Sequence, residues 1–184
     1  MDILEAIKGR RSVRLYKNAP VDGDIIRELI GAAVYAPTGS NLQPWLFAVI
    51  ENRDFMKKWS DLAKKHNQGN EKIAGRYKAV LENPDINLFY NAPALIAIYG
   101  NRESPTYMAD CSMAALNFML AAYNKGLGTC WIGLAVDAGD LPEIRDALKI
   151  PDGFKAVAPI ILGYPEGDMF MMTRKDPVIT EWLK

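Results

Sequence analysis

The sequence predicts a mixed α and β fold, and three observations predict it. Three runs of strand length, Trp45 to Ile50, Ala94 to Tyr99 and Lys155 to Leu162, are almost wholly apolar. Such strands belong in a sheet covered by helices on both faces, not in one with a wet side. Between them lie longer segments whose apolar residues recur at helical spacing. The 184 residues contain no Gly/Ser tract, Pro-rich run or block of like charge that would serve as a linker, so residues 1–184 read as one domain.

In chain order, Ile3, Leu4 and Ile7 fall on one side of a short first helix, with Asp2 placed as its N-cap. A second helix opens at Asp22, carries Ile25, Ile26, Leu29, Ile30, Ala33 and Val34, and stops at Pro37 and Gly39. The Trp45 to Ile50 strand follows. More polar helices are expected at Asp54 to His66 and Glu71 to Leu81, then a loop between Pro84 and Pro93, then the Ala94 to Tyr99 strand. From Thr106 to Lys125 the residues are Ala, Leu and Met nearly all round, as in a helix buried on most sides. Gly126 and Gly128 suit its end, and Cys130 to Gly133 reads as strand. Asp140-Leu141-Pro142-Glu143 resembles a capped helix start, with Leu141, Ile144 and Leu148 as its apolar face. The last strand ends at Gly163-Tyr164-Pro165, before an irregular tail whose Met169, Met171 and Met172 read as core or interface filler.

Composition removes several classes of function. Net charge is zero, which gives no global pull toward nucleic acid. The start has neither a basic n-region nor a long apolar h-region, and no apolar stretch is long enough to span a bilayer. A cytoplasmic protein is therefore expected. Cys111 and Cys130 do not form a C-x-x-C pair and read as reduced thiols. With a single histidine, His66, in a Lys-rich surface stretch, histidine metal sites and Ser-His or Cys-His catalysis are disfavoured. Asp110 and Asn117 share one helix face and suggest a buried polar patch.

Chemistry concentrates in three segments. In extended backbone, Arg10, Ser12 and Arg14 share one face, with Val13 and Leu15 on the other. Two forked guanidinium groups and a hydroxyl suit a phosphate, although basic residues at a helix C-terminus are also ordinary solvated ends. The second segment, Ala36 to Trp45, mounts Thr38, Ser40, Asn41 and Gln43 on a compact turn. Amides there suit an edge of alternating donors and acceptors, or the segment is simply a helix-to-strand connection. The third, Gly126 to Gly133, lacks dinucleotide-binding G-x-G-x-x-G spacing. Its glycines instead let backbone approach a flat ligand closely, and Cys130, with no histidine partner, reads as a structural thiol.

An early R-R-S-x-R, then A-P-T-G-S-N-x-Q-P-W, then G-L-G-T-C-W-I-G, then G-Y-P with Arg174 downstream together resemble the nitroreductase family of FMN enzymes. The resemblance implies an α+β fold with a mixed central sheet flanked by helices, in an intertwined homodimer whose flavin sites draw on both chains. It implies that Arg10 and Ser12, with Arg11 beside them, lie near the FMN phosphate and ribityl chain, and that Arg174 closes on the phosphate. Arg14 matches the basic residue at the pyrimidine edge, where it stabilises the charge of reduced flavin. Pro37, Thr38, Gly39 and Ser40 match backbone packed on the ring, while Asn41 and Gln43 match polar side chains supplied to the other subunit. Trp131, Ile132 and Gly133 match the strand whose backbone faces the reactive edge. A middle-third Asn, Asn67 or Asn70, is a further family position; Lys175 departs from the usual basic spacing.

The activity so implied is hydride transfer from NAD(P)H through FMN to a nitroaromatic, quinone or similar small acceptor, with no nucleic acid or membrane partner. Phe89 and Tyr90, between Asn83 and Tyr90, are candidates to stack on that acceptor. The alternatives are a flavin-binding sensor or carrier without significant turnover, and a compact α/β binding domain holding no flavin.

Overall fold

The computed structural model describes residues 2–167 and 173–184; the methionines at 169, 171 and 172 lie outside the described residues. Helix α1 (Ile3–Gly9) starts at Asp2, whose N–H donates to Glu5 Oε2 at 3.2 Å. Of this helix only Ala6 is buried, and Ile3, Leu4 and Ile7 face outward. Helix α2 (Gly23–Ala33) is capped by Asp22 and buries Ile26, Leu29 and Ala33. Strand β1 (Trp45–Ile50) leads to α3 (Arg53–Gln68) and α4 (Glu71–Glu82), which begin on the side-chain caps Asn52 and Asn70. Strand β2 (Ala94–Asn101), helix α5 (Tyr107–Asn124), strand β3 (Gly128–Trp131), helix α6 (Pro142–Leu148) and strand β4 (Phe154–Gly163) complete the order.

The strands lie in the order β1-β2-β4-β3, and every neighbouring pair is antiparallel. Among the described residues the parallel pairing is a single bridge, Ser12 to Thr129, so any mixed character of the sheet rests on that motif segment. Both faces of the central strands β2 and β4 are dry, while edge strand β1 is part-buried and leaves Val49 exposed. Alternation along β2 sends Leu95, Ala97 and Tyr99 to a core shared with Trp59 of α3, Phe89 and Ile144 of α6. It sends Ala94, Ile96 and Ile98 to a core shared with Ile26 and Leu29 of α2 and Phe118 of α5. A bulge between Ile98 and Tyr99 keeps this assignment by pairing Tyr99 with Ala156 instead of Val157.

Four local expectations change. Strand β3 begins earlier, because Gly128 already pairs with Gly163, and it ends at Trp131: the Ile132 N–H still donates to the Pro159 carbonyl at 2.9 Å, but Pro159 has no N–H to return the bond. Asp140 does not cap α6: Leu141 holds the N-cap position, and the Asp140 carboxylate accepts from the Ala156 N–H at 2.9 Å. Helix α5 buries Cys111, Ala114, Ala115, Phe118 and Ala122 but leaves Met108 and Leu116 exposed. Phe89, read as a substrate platform, is 0% exposed, with its ring edge-on to Trp59 at 5.7 Å between centroids.

Phe89 is thus a core residue. Phe89→Ala is expected to lower the unfolding free energy by about 3–5 kcal/mol, measured by urea denaturation. A loss under about 1 kcal/mol would contradict the packing described.

Candidate functional site

After α1 the chain runs across the end of β3. Val13 N–H donates to the Thr129 carbonyl at 2.9 Å, and Lys17 N–H to the Tyr164 carbonyl at 2.9 Å. The Tyr16 hydroxyl donates back to the Val13 carbonyl at 2.7 Å. The buried pair is therefore Val13 and Tyr16, not Val13 and Leu15, which is exposed. Gly128 lies so close beneath that a Cβ there would meet the Val13 side chain at 2.7–2.9 Å. That contact and the Thr129 bond fix the segment from which Arg10, Ser12 and Arg14 project.

The three arginines do different things. Arg11 turns back and donates through Nη1 to the carbonyls of Lys8 and Arg10 at 2.6 and 2.7 Å, closing the end of α1 as a basic residue there ordinarily does. Arg10 is half-buried, and burial, then the neighbouring charges of Arg11 and Arg174, pull its guanidinium below its ordinary pKa. The tail thus brings Arg174 within electrostatic reach of Arg10. Among the described residues no carboxylate pairs with Arg10, Arg14 or Arg174. Such a cation cluster is relieved by an anion, and phosphate suits its forked donors. Arg14 lies over the Tyr90 ring at 5.9 Å. Tyr90 is 39% exposed and held at φ 51°, unusual for a bulky residue, so it stands at the site while Phe89 beside it does not.

The second segment keeps a shape that most residues avoid. Ser40, Asn41 and Gln43 have φ of 50°, 56° and 46°. Their side chains are exposed, with Gln43 Nε2 donating to Asn41 Oδ1 at 3.1 Å. Thr38 Oγ1 accepts from the Gln43 N–H at 3.4 Å, and the Asp110 carboxylate accepts from the Gly39 N–H, also at 3.4 Å. Nothing in the sequence ties Asp110 to a glycine 71 positions away.

In the third segment Trp131 is half-buried, Ile132 buried and Gly133 exposed. A Cβ on Gly133 would meet nothing within 4 Å, which leaves its backbone open to a flat ligand. Asn67 fixes this turn: its Nδ2 donates to the Leu134 and Ala63 carbonyls, both at 2.7 Å. Asn70 instead caps α4. His66 is exposed.

One chain does not bring all these groups together. The Ser12 bridge reaches Thr129, which pairs with Leu162 and through it with Ala94. The Pro37 to Pro44 loop ends where Trp45 pairs with Gly100. Ala94 and Gly100 are six residue steps apart along β2, roughly 20 Å at 3.3–3.4 Å per residue. Helix α5 gives an independent ruler: Gly9 abuts Tyr123, and Gly39 abuts Thr106, at opposite ends of the helix. From Thr106 to Tyr123 is roughly 25 Å at 1.5 Å per residue.

A model described as "Nitroreductase family" matches residues 7–164. The chain belongs to the nitroreductase family. That membership makes the chain an oxidoreductase of the nitroreductase type. An Archaeoglobus fulgidus protein named "Putative NADH dehydrogenase/NAD(P)H nitroreductase" is 28% identical over 167 residues, covering 91% of this chain and 87% of that one. A Nematostella vectensis protein named iodotyrosine deiodinase is 26% identical, covering 95% of this chain and 72% of its own. The crystal structure of a Bacteroides fragilis nitroreductase with bound FMN aligns at a TM-score of 0.86 and 25% identity, over 100% of this chain and 98% of that chain. Among the described residues of this nitroreductase-family chain, no helix is long and apolar enough to cross a membrane, and no His, Cys, Asp and Glu group could hold a metal ion.

The thiols of this family member are shielded. Burial pushes Cys111 up to about 12, and burial also raises Cys130, against the opposing effect of Arg14, Ser12 and Arg10. In the native protein both are expected to react with a disulfide reagent at neutral pH only as fast as the chain opens. Stoichiometric labelling of either thiol within minutes, with the fold intact by circular dichroism, would contradict that shielding.

Proposed function

We propose that this chain is a cytoplasmic homodimeric enzyme, each subunit one FMN-binding domain over residues 1–184, that passes hydride from NAD(P)H through FMN to a nitroaromatic, quinone or similar small acceptor. One observation carries the dimer: the cationic segment and the loop at residues 37–44 lie at opposite ends of the sheet, roughly 20 Å apart. A twofold axis places the loop of one copy against the arginines of another, which a single chain does not do. The outward apolar side chains of α1, with Val178, Ile179, Trp182 and Leu183 of the tail, supply surface for such an interface.

FMN fits the residues present. Its phosphate meets the demand of Arg10 and Arg174 for an anion, with Ser12 beside them at the ribityl chain. Arg11 contributes from one step back, by closing α1 and so fixing where the Arg10 backbone lies. The flavin, when bound, supplies the redox chemistry, accepting and releasing hydride at its reactive edge. The protein supplies position and charge. Arg14, steadied by the Tyr90 ring, sets a fixed positive charge at the pyrimidine edge, which stabilises the reduced cofactor better than mobile water does. The backbone of Pro37, Thr38, Gly39 and Ser40 packs on the ring from the neighbouring subunit, and the exposed amides of Asn41 and Gln43 face it. Trp131, Ile132 and Gly133 present backbone to the reactive edge, held there by Asn67. The exposed face of Tyr90 offers a platform for an aromatic acceptor or nicotinamide.

The purified protein is expected to be yellow and to bleach when NADH or NADPH is added without oxygen. A flavin that stays oxidised with both donors would favour a flavin carrier, and a protein that takes up no FMN would remove the reading. Among variants, Arg14→Ala is expected to retain flavin with a more negative midpoint potential, and Arg10→Ala combined with Arg174→Ala to lose it during purification. An unchanged potential in the first, or full occupancy in the second, would overturn the corresponding role.

A further inference from the structure

The loop at residues 38–43 holds a strained backbone shape. Non-glycine residues avoid the left-handed region, yet Ser40, Asn41 and Gln43 all occupy it. The bonds within the loop run from Asn41 N–H to the Thr38 carbonyl at 3.3 Å, Leu42 N–H to the Gly39 carbonyl at 3.1 Å, Gln43 N–H to Thr38 Oγ1 at 3.4 Å and Gln43 Nε2 to Asn41 Oδ1 at 3.1 Å. Anchors from outside lie at its two ends. At one end the Asn101 N–H donates to the Pro44 carbonyl at 2.8 Å. At the other stands Asp110.

Asp110 is 2% exposed, and a carboxylate that deep must be supplied with donors. It has two from the protein: the Thr106 hydroxyl at 2.9 Å, from the preceding turn, and the Gly39 N–H, shared between both carboxylate oxygens at 3.4 Å. Thr106 also touches the loop directly, since a Cβ on Gly39 would lie 2.5 Å from its Oγ1. The hydroxyl of Ser104, itself buried, approaches Thr106 Oγ1 from the other side at 3.3 Å. Hydroxyl, carboxylate and glycine amide therefore form a latch. Asp110 and Ser104 are buried, whereas Thr106, like Asn41 and Gln43 of the loop, is exposed.

We propose that Asp110 and Thr106 are positioning residues that hold this loop in the shape met by the flavin of the neighbouring subunit, an inference that rests on the FMN-binding homodimer described above. The Asp110 carboxylate, 2% exposed, lies on the buried side of the loop. It acts through Gly39, and because the loop serves the other subunit, loosening the latch in one chain weakens the flavin site built on its partner's arginines.

The test follows release of FMN from diluted holoenzyme by the recovery of flavin fluorescence. Thr106→Val removes the hydroxyl, Asp110→Asn the charge, and either is expected to speed release about tenfold, the scale of losing a hydrogen bond to a charged group. Thr106→Ser keeps the hydroxyl and is expected to restore slow release. A purely structural role would instead lower the urea midpoint and leave native-state release unchanged. Should Asp110→Asn fail to fold, Thr106→Val decides alone. Release within twofold of the unchanged protein in the folded variants overturns the proposal, whereas an unchanged protein without flavin overturns the function reading instead. Hybrid dimers test the crossing. With Thr106→Val on one chain and Arg10→Ala plus Arg174→Ala on the other, one site keeps both an intact latch and intact arginines, so one flavin per dimer stays tightly held. With all three substitutions on the same chain, none does. The reverse pattern would mean that the loop serves its own chain, and the proposed crossing would be wrong.

Discussion

Strands β2 and β4, paired antiparallel over the length of β2 and dry on both faces, are the constraint from which the rest of the structure follows. Their residues alternate between two cores, so each face must be covered: by α3 and α6 on one side, by α2 and α5 on the other. Once those helices are committed, the connections have to emerge at the two ends of the sheet. The motif that follows α1 arrives beside Thr129 and the loop that follows α2 arrives beside Gly100, so the length of a strand separates them. A spacing set by core packing thereby becomes a requirement on the site.

The charge pattern has the same character. A chain with zero net charge nonetheless brings Arg11 and Arg174 close enough to discourage, together with burial, the charge of Arg10. Folding does that work against repulsion, and the return comes only with an anion bound. Arg11 shows that not every member of such a cluster serves the ligand, since its donors are spent on the end of α1. Charge balance over the chain says little about charge at the site, where desolvation strengthens each local interaction.

Rigid support beneath exposed polar groups recurs throughout. Asn67 braces the turn that carries Gly133, Tyr16 ties down the carbonyl of Val13, and Asp110 holds the amide of Gly39. In each case a buried side chain bonds to backbone, and the neighbouring residues face solvent. A flat cofactor recognised largely through backbone needs that arrangement, because backbone cannot adjust by rotating a side chain. Lys64 uses the same device away from the site, donating from a buried position to the carbonyls of Asn83 and Ile86.

Much of this was legible in the sequence. The helices at α2 to α5 and the strands β1, β2 and β4 follow from local periodicity and caps, and the order of four motifs marked the family. Periodicity reports only which residues avoid water, however, not what covers them. It could not show that Phe89 packs on Trp59 while adjacent Tyr90 stands open beside Arg14, since both are aromatic and the difference lies in what the fold places near each. Nor could it show that Tyr16, not Leu15, accompanies Val13 into the core, because the segment leaves ideal extended geometry as it crosses β3. The sequence by itself determined the elements and the chemical character of the motifs, which depend on near neighbours along the chain. Tertiary structure alone decided which carboxylate holds the loop, and that the Arg10 to Arg14 segment and the loop at residues 37–44 stand a strand's length apart, because these depend on contacts between residues far apart in sequence.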